Sequence, residues 1–445
     1  MKKKILISLL MLLLSIMMLC GGCGEGNVEY EVFPWIWGSA NNPSGERTTT
    51  PGEIGVFAEN GAYTWWTNMQ AFRYVGNKDQ TYLSYVDEKG NRCLASYNHD
   101  TGKFAYFKLA QYEVDDHDSA GVMVLPDGRL LAVYVRHSKD KIIRWRISKK
   151  PEDITSFGKE KEVSCSYAIT YAQLHRISDT EYRILYRSRM KSWATRVYNC
   201  ETDKWSVETV WLTEGKGKQY YLWTQEDKEE GKFNIFMTGH PKNGPDQNIR
   251  YGYFTADGGI YTTGGKKVGD MNDELSISVP NPRDFDIVYE AQEGDHTRLY
   301  DVSFMGEKVA VLYGVHQGEE DNSDYYYAYY DDVEGKWVNN LICESGTWLV
   351  GANMYFAGMS FDKKDMQTVY VTRRVGARCR IEKWKTTDYG ATWTSTLIEE
   401  AANDDEEILR PLIPYNAHDD MDVLYMKGNY PAYVKYDTDI VYYAD

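Results

Sequence analysis

The sequence has 445 residues, 42% of them hydrophobic and 26% charged, a balance that excludes a disordered, collagen-like or coiled-coil chain. Its net charge of −16 argues against nucleic acid as a partner, because duplex binding needs a basic surface that releases counterions from phosphates. The 37 Tyr, 13 Trp and 13 Phe favour strands and point to an all-β fold.

Residues 1–22 read as a lipoprotein signal peptide. Lys2, Lys3 and Lys4 give a positive start, Ile5 to Leu19 form an apolar run short for a bilayer span, and Gly21-Gly22 precede Cys23, the residue expected to carry the lipid. Loss of those lysines takes the net charge from −16 to −19. The expectation is an exported bacterial lipoprotein, anchored in the membrane and facing the cell exterior or periplasm. Residues 23–55, rich in Gly, Asn, Pro, Ser and Thr, form the lipidated cysteine and a flexible tether, and 56–445 a single domain. Cys93, Cys165, Cys200, Cys343 and Cys379 are odd in number and widely spaced, which implies neither a disulfide framework nor a paired-cysteine zinc site.

Beyond the tether, short aromatic and β-branched runs alternate with turn signals, among them Asp87-Glu88-Lys89-Gly90, Pro126-Asp127-Gly128, Ala256-Asp257-Gly258-Gly259 and Met305-Gly306-Glu307. These predict hairpins. Only 157–163 and 399–408 suggest amphipathic helices. One turn type recurs, at Asp100-Thr101-Gly102-Lys103-Phe104, Glu201-Thr202-Asp203-Lys204-Trp205, Glu334-Gly335-Lys336-Trp337 and Asp388-Tyr389-Gly390-Ala391-Thr392-Trp393. A repeated supersecondary unit explains it. The last copy, with Thr386, has the Asp-box pattern, a structural turn in which Asp and Thr side chains satisfy backbone amides. Repeated sheets bury both faces when packed radially, so a β-propeller is predicted, with seven four-stranded blades of roughly 55 residues each.

The polar residues of interest flank two predicted hairpins. His117 and His137 lie on either side of the turn Pro126-Asp127-Gly128, each about ten residues from it, which places both on one edge of a blade. Tyr171 and Arg187 flank the turn at Ser178-Asp179 in the same way.

With Trp65-Trp66, Asp115-Asp116, Arg410-Pro411 and Gly428-Asn429-Tyr430, these residues give nearly all of the chain after the tether a resemblance to the BNR-repeat propeller family that contains ulvan lyases and related rhamnose–glucuronate lyases. There the active site is a His pair on one hairpin with a Tyr and an Arg sixteen residues apart, and His117, His137, Tyr171 and Arg187 match it.

The resemblance implies a polysaccharide lyase that cleaves a uronate-containing polysaccharide by β-elimination. That reaction removes the C5 proton and expels the sugar at C4, which requires a cation, a base and an acid. Arg187 offers its planar fork to the carboxylate, His117 is the expected base, Tyr171 the expected acid, and His137 is assigned to substrate binding. Arg189, His240, Tyr251 and Tyr253 are further substrate-binding candidates. The partner implied is an acidic polysaccharide or oligosaccharide bound by a monomer. No cofactor is required, although a structural calcium or zinc ion is compatible with so acidic a chain, calcium for instance at Glu319-Glu320-Asp321 or Asp404-Asp405-Glu406-Glu407.

A sialidase would need an arginine triad and a Tyr–Glu pair that the sequence does not assemble. A rhamnosidase-like glycoside hydrolase on the same propeller and a non-catalytic glycan-binding surface lipoprotein are the remaining alternatives.

Overall fold

The computed structural model describes residues 50–188, 192–215, 217–228, 230–240, 246–275, 277–305, 308–317, 322–346 and 358–445. The predicted signal peptide, Cys23, Arg189 and the Glu319-Glu320-Asp321 cluster lie outside these residues.

Strand follows strand along the chain, and each antiparallel group forms one blade. Six blades are continuous in sequence, running Gly61–Gln111, Gly121–Ser164, Ile169–Leu212, Tyr220–Tyr289, Asp295–Glu344 and Met359–Glu400. The seventh combines Glu407–Leu412, Val423–Ala432 and Lys435–Tyr443 with Gly55–Ala58 from the start of the domain, which pairs with Lys435–Tyr443 and brings Gly55 opposite Tyr442. This seam joins the two ends of the domain in one sheet and closes the ring.

The result is an all-β, seven-bladed propeller of four-stranded blades, some with an extra short strand. The predicted helices at 157–163 and 399–408 do not form. The first stretch leads into the edge strand Lys161–Ser164, and the second spans the end of Thr394–Glu400, a turn and the start of Glu407–Leu412. Sheet pairing overrides the weak helical periodicity there. Among the described residues the only helical elements are short 3-10 turns. The five described cysteines are free thiols.

The recurring turn has one structural meaning. Its copies after Asn98, Asn199, Asp331 and Lys385 each join the third strand of a blade to the fourth. In the last copy Asp388 accepts hydrogen bonds from the Thr392 amide at 2.9 Å and from the Thr392 hydroxyl at 2.7 Å, while the Gly390 amide donates to Thr386 Oγ1 at 2.8 Å.

Aromatic and aliphatic side chains fill the spaces between blades. In the third blade the strand Glu181–Ser188 is buried from Tyr182 to Ser188, as befits a strand covered on both faces. The segment between Ala62 and Ala71 packs across several blades. Trp66 is buried and stacks on Tyr221 with ring centroids 4.5 Å apart, and Asn68 forms a parallel bridge with Gln173. Gly121 permits this passage, since a Cβ there would lie 2.6 Å from the Asn68 carbonyl oxygen.

Candidate functional site

The site is assembled from irregularities in otherwise regular strands. After the first blade the chain makes a 3-10 turn over Asp116–Asp118, capped by Asp115, whose side chain accepts from the His117 amide at 3.1 Å. The hairpin Gly121–Val124 with Leu130–Tyr134 then returns the chain to the same edge, where the His137 amide donates to Asp118 at 2.6 Å. Asp118 is also bound by the buried Arg92 guanidinium. His117 and His137 are therefore tied down at both ends of one hairpin, as their spacing predicts.

Their rings stack at 4.2 Å with 17° between planes. Both direct Nδ1 at Asp115, His117 to Oδ1 at 2.8 Å and His137 to Oδ2 at 3.0 Å, and His117 Nδ1 is also 2.8 Å from Asp116 Oδ1. Nδ1 is the protonated nitrogen of each ring, because its partners are carboxylates. Among the described residues, Nε2 of each histidine has no hydrogen-bond partner and is the atom available to a substrate.

The electrostatics of the two rings diverge. Burial opposes a charge on His117, but Asp116 and Asp115 outweigh it and push its pKa up to about 10. His137 moves the other way: burial and the positive charge on His117 hold it below the ordinary imidazole value, against the pull of Asp115. Although burial opposes ionisation of Asp115, hydrogen bonds from both histidines hold it well below the usual carboxylate range. At neutral pH the pair is one imidazolium and one neutral imidazole. This differs from the expectation that His117 is the neutral base. The reason is Asp116, whose second carboxylate contact His137 lacks.

Asp116 is fully buried and joins the site to the seventh blade. Arg410 donates to it at 2.6 Å, and Tyr430 donates its hydroxyl to the same carboxylate oxygen. Arg410 also donates to the Tyr63 carbonyl and lies 4.5 Å over the ring of Trp65.

Tyr171 comes from the third blade. The pairing of its strand with Glu181–Ser188 shifts between Thr170 and Gln173, and Tyr171 occupies the resulting bulge with φ of 68°. The bulge turns the ring toward the histidines, 5.9 Å from His117 and 6.4 Å from His137, and next to Trp66 and Trp193. Arg410 is held in the same kind of bulge on the inner strand of the seventh blade, with φ of 52°.

Arg187, opposite Thr170 on the neighbouring strand, lies 4.8 Å over the Tyr171 ring and 5.4 Å over Tyr221. Its side chain is buried, and Nη1 has no hydrogen-bond partner among the described residues. A permanent cation held over aromatic rings with an unused donor suits an incoming carboxylate.

Of the further candidates, His240 stacks on Tyr221 at 5.1 Å and so adjoins the cluster. Tyr251 does not. Its hydroxyl donates to Asn234 at 2.7 Å and its ring packs on Phe236 and Trp337 within the core. Tyr253 stacks on Tyr261 near the outer strands of the fourth blade, away from the histidines. Both corrections have one cause: these tyrosines lie on the third strand of their blade, whereas the site gathers around inner strands.

Three contributors lack a local sequence signal. Tyr433, from the hairpin of the seventh blade, meets His117 edge-on at 5.1 Å and His137 at 5.9 Å. Tyr221 lies between Arg187 and Arg298, the latter 5.3 Å over its ring. Asp115, His117 and His137 are close enough to hold a metal ion, but separate hydrogen bonds to the two carboxylate oxygens already account for their geometry.

Residues 80–297 match the family described as BNR repeat-containing family member. No curated protein matches the sequence. Among solved structures, the chain is similar to a family 25 polysaccharide lyase, an ulvan lyase bound to -[GlcA(1-4)Rha3S]-, at 13% identity with a TM-score of 0.66, covering 88% of this chain and 95% of that one. The ulvan lyase structure described without that ligand gives 13% identity and a TM-score of 0.65 over 88% and 95% of the two chains. At this identity the likeness establishes a shared fold.

Proposed function

We propose that the protein is a polysaccharide lyase that cleaves a uronate-containing polysaccharide by β-elimination. The observation that carries this reading is the convergence of His117, His137, Tyr171 and Arg187, from two successive blades, on one small region. The shared fold with an ulvan lyase supports it.

The chemistry follows from the charges. A uronate carboxylate docks on Arg187, and the His117 imidazolium adds a second positive charge through its Nε2–H. Neutralising the carboxylate acidifies the neighbouring C5–H. His137, neutral at physiological pH with Nε2 unprotonated, accepts that proton. The electron pair forms the C4–C5 double bond as the C4–O bond breaks, and the Tyr171 hydroxyl donates its proton to the departing sugar oxygen. His240 borders the same region and contacts the polymer.

We further infer that residues 1–22 direct export and that Cys23 anchors the propeller to a membrane; palmitate labelling of wild-type protein and its loss in Cys23→Ala tests this.

The lyase reading is tested by incubating the protein with ulvan and other rhamnose–glucuronate polymers. Elimination generates an ultraviolet-absorbing unsaturated uronate. A hydrolase releases reducing ends without that absorbance, and a binding protein does neither.

A further inference from the structure

A second His–His–Asp cluster lies in the same molecule and differs from the first in one informative respect. His99 follows the strand Asn91–Asn98 of the first blade, and His418 and Asp420 lie in the loop between Glu407–Leu412 and Val423–Ala432 of the seventh. The His99 and His418 rings stack at 4.2 Å with 20° between planes, nearly the same pose as His117 and His137.

At the first cluster the two Nδ1 atoms hydrogen-bond to different oxygens of Asp115. At the second, both Nδ1 atoms converge on a single oxygen, Asp420 Oδ1, at 2.7 Å from His99 and 2.8 Å from His418. His99 Nδ1 is buried in a side chain only 2% exposed and lies against the Asp420 carboxylate. Its other nitrogen is bonded to Thr81 Oγ1 at 2.8 Å, which fixes the ring and aims Nδ1 into the cluster. His418 Nδ1 accepts from the Asp420 amide at 3.2 Å and therefore presents a lone pair, not a proton, on that side. The His418 lone pair and the Asp420 carboxylate oxygen, 2.8 Å apart, repel unless a cation lies between them.

We propose that His99, His418 and Asp420 form a binding site for a divalent late first-row metal ion, with zinc the best match. Two imidazoles and a carboxylate are a standard zinc donor set, and the three ligand atoms lie within 4.8 Å of one another, so small side-chain movements bring each to zinc–ligand distance. Thr81 acts as the outer partner that orients the His99 ring. Water completes the tetrahedron.

The location gives the ion a role. The first and seventh blades meet here, beside the seam made by Gly55–Ala58. His99 lies at the end of its strand opposite the Asp87–Asn91 turn, whereas the next strand leads from that end to the His117 turn, so strand direction places the metal cluster on the other face of the disc from the His117 cluster. The ion is a clip across the junction and takes no part in the reaction.

The test uses the propeller purified after chelation, titrated with zinc sulfate, with bound metal measured by mass spectrometry and stability by thermal melting. Wild type and the His117→Ala/His137→Ala variant are expected to bind one zinc per chain and to gain roughly 3–5 °C in Tm at about a hundredfold excess over Kd. Asp420→Asn and His418→Ala, both partly exposed positions, are expected to melt like metal-free wild type and to lose both the zinc and the gain. Failure of wild type to bind stoichiometric zinc overturns the proposal. So does stoichiometric binding that survives in Asp420→Asn and His418→Ala, or that disappears in His117→Ala/His137→Ala.

Discussion

His117 and His137 share one carboxylate, stack at 4.2 Å and differ in charge at neutral pH, His117 a cation and His137 neutral. Two equal imidazoles in that pose would compete for a proton. The asymmetry comes from Asp116, which contacts His117 at 2.8 Å and lies between it and Arg410. One hairpin thereby presents a cation and a proton acceptor side by side, two of the groups the proposed elimination uses.

The pH dependence follows. In the proposed elimination His137 is neutral and His117 charged, so activity is expected to rise through a pKa below the ordinary imidazole value and to persist until His117 deprotonates near 10. The pH profile of kcat/KM in Asp116→Asn should lose its alkaline shoulder first, with the falling limb moving toward neutrality. An unchanged falling limb would separate His117 from that limb.

The same shift has a stability consequence. Because the folded pKa of His117 is raised, its contribution to stability is complete below about 6.5, the unfolded value, and is lost as pH rises toward 10. Urea unfolding of His117→Gln should therefore show a flatter decline in stability between those limits than wild type.

Substitutions at the reacting groups should separate binding from chemistry. Arg187→Ala is expected to lower kcat/KM by about 10²–10³, with partial recovery in Arg187→Lys, whose point charge lacks the planar fork. Tyr171→Phe is expected to lower kcat by about 10²–10⁴ with little change in KM, since only the proton donor is removed. Steady-state kinetics on a defined uronate oligosaccharide measures both.

The Asp116–Arg410 pair predicts a structural cost. Both groups are buried, so Arg410→Met leaves the Asp116 carboxylate without its strongest partner, and a loss of about 3–5 kcal/mol in chemical denaturation is expected. The double variant Arg410→Met/Asp116→Asn should recover part of that loss.

Much of this site is legible in the sequence because its central residues are local to hairpins. The turn at Pro126-Asp127-Gly128 fixes where His117 and His137 meet, and the turn at Ser178-Asp179 does the same for Tyr171 and Arg187. What spacing does not convey is the bulge that gives Tyr171 its positive φ and aims its ring, or the charge difference between the histidines. Tyr433, Tyr221 and Arg298 arrive from three other blades, and only closure of the ring brings them near. Tyr251 and Tyr253 show the converse error: residue type and hairpin position suggested the cleft, but the third strand of a blade lies away from it.

The most direct test of the account is the mass of the products released from a uronate-containing polymer. Elimination splits the chain without adding water, so the two fragments sum to the parent mass and one carries a C4–C5 double bond. Fragments that together gain one water, with saturated ends throughout, would contradict the lyase assignment.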